Sequence, residues 1–95
     1  MGKDDDDSDT SVYVGKRPTM NYVMATMMIL NEGKNATIKA RGRAISHAVD
    51  VAEILKRKFV PNAKYKDIRL STEQLTNDDG RVINVSSMEI ELTPE

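Results

Sequence analysis

The sequence predicts an α+β two-layer sandwich of order β-α-β-α-β-β: a four-stranded mixed sheet with two helices on one face and a long closing hairpin. Three observations predict it. Apolar residues alternate through "NATIKARG" and "RVINVSSMEIEL", the period of half-buried strands. Apolar residues recur at helical spacing through "TMNYVMATMMILN" and "RAISHAVDVAEILKRKF". "YKDIRLSTEQL" and "RVINVSSMEIEL" read as strands joined by "TNDDG", in which Asp79-Gly80 is a hairpin turn signal.

Each element follows from its residues. "SVYVGK" reads as a short strand with Val12 and Val14 on one face. Pro18 opens a helix and Gly33 ends it. That helix carries Met20, Val23, Met24, Met27, Met28, Ile29 and Leu30, more than one stripe. It is therefore expected to pack on two sides, with the methionines in the core. In the next strand Ala36, Ile38 and Ala40 face one way, and Thr37, Lys39 and Arg41 the other. The second helix sets Ile45, Ala48, Ala52, Leu55 and Phe59 in one stripe, widened by Val49, Val51 and Ile54, until Pro61 stops it. The first two strands are joined by a right-handed parallel crossover. The hairpin arms approach about 40 Å at about 3.3 Å per residue, so their distal part is expected to project as a ribbon. Ile83 and Val85 hold odd positions but Met88, Ile90 and Leu92 even ones, which predicts a bulge near Ser86 and Ser87.

Ninety-five residues make one domain. Residues 1–11 hold Asp4, Asp5, Asp6, Asp7 and Asp9 against Lys3, and are expected to be a disordered acidic tail before a domain at 12–95. The whole-chain charge of −1 hides an asymmetry, because residues 12–43 hold six cations (Lys16, Arg17, Lys34, Lys39, Arg41, Arg43) against Glu32 alone. No apolar run approaches the eighteen or so residues of a membrane span, and no secretory signal is evident. The absence of cysteine excludes a disulfide scaffold and a thiolate zinc site, and fits a cytoplasmic protein.

Catalysis has little to stand on. His47 is the only histidine and reads as a surface or interface residue. Asp50 and Glu53 read as the solvated face of a helix, and Ser86 and Ser87 have no base in view. No metal or cofactor constellation is present, so an enzyme is not expected. "RGR" at residues 41–43 matches neither the Walker nor the dinucleotide pattern, and locally it reads as a turn flanked by solvated arginines. Its company changes that reading. Gly42 precedes a helix, where free N–H groups point outward. "GKRP" at residues 15–18 marks another strand-to-helix junction. If the two strands are parallel, Lys16, Arg17, Lys39, Arg41 and Arg43 converge on one patch suited to phosphates. No strand carries a stacking pair of aromatics, so duplex or structured nucleic acid fits better than an RNA-recognition platform. Residues 77–81, with Asn77 and Arg81, would then let the ribbon enter a groove.

The stretches "VYVGKRPTMNYVMATMMILNEG", "ATIKARGRAISHAVDVAEIL" and "DDGRVINVSSMEIEL" resemble the Alba family of archaeal chromatin proteins over residues 12–92. The resemblance implies a fold similar to the C-terminal domain of translation initiation factor three. It implies a homodimer packed through the second helix and the last strands, and a chromosome-associated architectural role in the cytoplasm, with DNA condensation. It implies binding of double-stranded DNA, and also RNA, without marked sequence preference. Lys16 would lie at the centre of the surface, its acetylation weakening DNA binding, which makes an acetylase and a deacetylase expected partners. Arg41 and Arg43 match basic residues of that surface, the hairpins would reach along the minor groove, and Phe59 would join dimers side by side on DNA. An RNA-binding subunit acting in RNA processing or stability is the alternative. Three features depart from the family pattern: Arg17 where a second lysine is usual, His47 where a basic residue is common, and the acidic tail. The tail is expected to compete with phosphate for the patch and to weaken binding.

Overall fold

A computed structural model describes residues 10–94 of the chain. The expected tail lies outside the described residues except at its end, where Ser11 already pairs with Thr37. The elements are β1 (Ser11–Tyr13), α1 (Thr19–Asn31), β2 (Ala36–Arg41), α2 (Ala44–Ile54), a π-helical turn (Leu55–Phe59), β3 (Lys64–Thr76) and β4 (Val82–Thr93). The sheet order is β1-β2-β4-β3, with β1 and β2 parallel and the other neighbours antiparallel.

One face of the sheet is dry. Val12, Ala36, Ile38, Ala40, Ile90 and Leu92 alternate inward and share a core with Val23 and Leu30 of α1 and Ala48, Val51 and Ala52 of α2. This is the two-layer α+β sandwich that alternation predicts. The small alanines of β2 and α2 let helix and strand approach closely, since there is little side chain to separate them.

The helices differ from expectation in which side they bury. On α1 the buried residues are Tyr22, Val23, Thr26 and Leu30. Met20, Met24 and Met28, four residues apart, lie together on the exposed side, and only Met27 packs against the core. The helix is thus covered on one side only, and the methionine-core expectation holds for one methionine of this set. Thr26 is fully buried because its hydroxyl donates to the Tyr22 carbonyl, 2.8 Å away. On α2, Leu55 closes the buried stripe, but Phe59 is 41% exposed rather than in it. The π-helical turn is the reason: Val60 N–H donates to Leu55 O, which widens the last turn and swings Phe59 out of phase.

β4 crosses Ser86 and Ser87 without a bulge; these residues pair with Thr72 and Ser71 in unbroken register. The one irregularity is on β3 between Tyr65 and Asp67. The change of apolar phase has another cause. From Ser87 to Leu92, β4 lies beside β2, and its even residues face the helices. Beyond Ser87 only β3 is beside it, and the odd residue Val85 instead abuts the Gly42 turn on the other face. Which face is covered changes, while the register does not. The distal β3–β4 arms therefore form the projecting ribbon, closed by Asn77 N–H to Arg81 O at 2.8 Å and by Gly80 at φ +88°.

Candidate nucleic-acid interface

Because β1 and β2 are parallel, the β1–α1 and β2–α2 junctions lie at the same end of the sheet. A cleft of about 700 Å³ opens between them. Lys16, Lys39, Arg41 and Arg43 line it, with Tyr13 and His47. Arg17 is exposed on the same turn as Lys16. Asn77 and Arg81 lie apart from the cleft, at the ribbon tip.

The turn carrying Lys16 is pinned from beneath. Tyr22, buried on α1, accepts hydrogen bonds from the N–H groups of Gly15 and Arg17 at its hydroxyl oxygen, both at 2.9 Å. His47 packs edge-on against that ring, with centroids 5.6 Å apart. Its Nδ1 faces the Gly15 carbonyl at 3.3 Å, where the ring donates, and its Nε2 meets the Thr19 hydroxyl at 2.8 Å. His47 therefore ties α2 to the turn before α1. The sequence marks it only as a surface or interface residue, since nothing local reveals a partner 32 positions away.

The second turn needs its glycine. Gly42 has φ +54°, a conformation that side chains rarely adopt, and its N–H donates to Ser86 O at 2.8 Å. This places Arg43 at the N-cap of α2, facing the cleft. Helix N-termini favour anions through their outward N–H groups and the helix dipole.

The cations differ in their company. Among the described residues no ion pair holds Lys16, Arg17 or Arg43. Lys39 lies 3.9 Å from Glu89 and 5.4 Å from the centre of the Tyr13 ring. Arg41 presents a fork to Glu73 of β3, Nη2 to Oε1 at 2.8 Å and Nε to Oε2 at 3.3 Å. The Ser87 hydroxyl, and then the Arg41 guanidinium, hold the Glu73 carboxyl below the usual glutamate range. Farther across this outer face Arg69 bridges Asp67, Glu91 and Glu89, all of which raise its pKa. At the ribbon tip Arg81 is held loosely by Asp79 at 3.5 Å, with both side chains well exposed.

An Alba family model matches residues 10–72 of the chain. A relative from Thermoplasma volcanium, named DNA/RNA-binding protein Alba, is 55% identical over 83 residues, which are 86% of this chain and 92% of the relative. Another from Archaeoglobus fulgidus, named DNA/RNA-binding protein Alba 1, is 51% identical over 84 residues, 87% of this chain and 93% of the relative. The solved structure of Alba from Thermoplasma volcanium superposes with a TM-score of 0.82 at 54% identity, covering 87% of this chain and 98% of that one. The parallel β1–β2 pair, its two basic turns and these matches lead to one conclusion: the chain belongs to the Alba family.

Proposed function

We propose that the chain is a dimeric architectural protein that binds double-stranded DNA, and also RNA, with little sequence preference. The observation that carries this reading is the convergence of Lys16, Arg17 and Arg43 on two adjacent turns, without carboxylate partners among the described residues. Such a surface suits a row of phosphates, which give affinity and salt dependence but no sequence information. The names of the relatives, DNA/RNA-binding proteins, support the same reading. Asn77 and Arg81 at the ribbon tip would reach a neighbouring groove. Lys16, exposed and without an ion pair among the described residues, is the residue whose acetylation would remove a phosphate contact. Residence on the chromosome in the cytoplasm belongs to this proposal.

The dimer rests on an uncovered apolar face. Ile68 and Leu70 of β3 lie opposite Ile90 and Met88 of β4, so they point to the helix side of the sheet. β3 is an edge strand, and there the two residues are 51% and 72% exposed. A second copy covering this face would bury them; sedimentation at the mass of a single chain would remove the dimer from the proposal.

The test of the interface is Lys16→Ala, Arg17→Ala and Arg41→Ala together, titrated with one duplex over a range of salt. Affinity is expected to fall on the order of a hundredfold, and its salt dependence to flatten. Unchanged affinity would overturn the interface. An RNA-binding subunit acting in RNA processing or stability is the second reading, favoured by Tyr13: the residue is 68% exposed beside the cleft, where an unpaired base could stack on its ring. Titration with duplex DNA and structured RNA at equal salt separates the two, since a strong RNA preference supports the second.

A further inference from the structure

Glu73 occupies the position of a ligand. Its carboxylate meets the Arg41 guanidinium as a fork, which is the geometry Arg uses for carboxylate and phosphate alike. It does so inside the cleft that holds Lys16 and Arg43. The carboxylate comes from β3, the far edge of the sheet, and reaches back across β4 to the end of β2. Its neighbour Val85, opposite on β4, abuts the Gly42 turn, so ribbon and turn are fitted to each other here.

We infer that Glu73 is a built-in competitor for the phosphate position at Arg41, and so sets the affinity of the cleft. The inference rests on the nucleic-acid reading above and concerns how the same site is tuned. Both partners are partly exposed, with side-chain exposures of 57% and 34%, so the pair can open without uncovering a buried charge. An isolated anion gains little by opening it. A phosphate delivered by a chain already held at Lys16, Arg17 and Arg43 arrives at high effective concentration and displaces the carboxylate. Binding then exchanges one anion for another at Arg41. The released Glu73 keeps its charge and draws a cation to itself, which offsets the counterion that Arg41 frees from the nucleic acid. Arg41 therefore adds little to the salt dependence of the intact protein, and would add a full contact if Glu73 were neutral.

The experiment compares the full chain with Glu73→Gln on one duplex across salt concentrations, each also in the Arg41→Gln background. Glu73→Gln is expected to tighten binding about threefold to tenfold at low salt and to steepen the slope of log K against log salt by about 0.9, one phosphate contact. In the Arg41→Gln background both changes are expected to shrink to near nothing. Ser87→Ala, which removes only the hydroxyl steadying the carboxylate, should shift affinity in the same direction by less. Unchanged affinity and slope in Glu73→Gln would overturn the inference. So would an equal gain with and without Arg41, which would reduce Glu73 to one more negative charge near the ligand. Salt-insensitive or absent binding by the unmodified chain would instead overturn the nucleic-acid reading itself.

Discussion

Lys16, Arg17 and Arg43 stand on the two turns that open the cleft, whereas Lys39 and Arg41 stand on the strand behind it. The turn cations face solvent with no carboxylate in ion-pair distance among the described residues; the strand cations each face one, Glu89 and Glu73. The difference follows from how each group is placed. Strand residues on one face must have cross-strand neighbours, and Lys39 lies directly opposite Glu89 in the β2–β4 register. Turn residues have no such cross-strand neighbour, so among the described residues their charges remain unpaired. A count of cations on this surface therefore overstates the field a ligand meets, and the turns carry more of it than the strand.

The largest test of that contrast sets Lys16→Ala against Lys39→Ala in the same titration. Loss of Lys16 is expected to weaken duplex binding by several-fold more than loss of Lys39, and to remove about 0.9 from the salt slope. Equal losses would break the distinction between turn and strand. A smaller effect should come from the support of the turn. Tyr22→Phe removes the oxygen that accepts from Gly15 and Arg17, leaving two N–H groups to find other partners. A stability loss of about 1–2 kcal/mol by denaturant unfolding is expected, with faster amide exchange confined to that turn. Unaltered exchange there would show that the turn holds its shape without Tyr22. The smallest effect is a titration. The Glu73 carboxyl, followed by NMR, should ionise below the ordinary glutamate value of about 4.3. Its pair with Arg41 should then persist through neutral pH and be lost as pH falls through that lowered pKa. Arg41→Ala and Ser87→Ala should each raise the midpoint, and an unmoved midpoint in both would contradict the contacts described for Glu73.

Much of the fold was legible because its signals are local. The alternation of Ala36, Ile38 and Ala40 places Lys39 and Arg41 outward whatever lies beside them. Asp79-Gly80 specifies its turn, and Pro18 and Gly33 bracket α1 as read. Errors arose where a residue satisfied two patterns at once. The methionines of α1 fit a helical stripe, but so do Tyr22, Val23, Thr26 and Leu30, and the second stripe is the one against the sheet. Phe59 fits the α2 stripe at a regular helical spacing, and a π-helical turn shifts the spacing. The phase change between Val85 and Met88 reads as a bulge near Ser86 and Ser87 because a change of covered face and a change of register give the same string of letters.

The basic turns, the outward cations of β2 and the membership of the family are all written in contiguous residues, where periodicity and motif act over a few positions. The carboxylates that meet those cations are not. Glu89 could be assigned to the outer face from its alternation with Met88 and Ile90, but only the strand order β1-β2-β4-β3 sets it beside Lys39. Glu73 reaches Arg41 from 32 residues away, and His47 reaches Gly15 across the same separation. Alternation decides which way a side chain points because it depends on backbone geometry alone. Which charge it meets depends on chain segments brought together when the core closes, and that pairing exists only in the folded molecule.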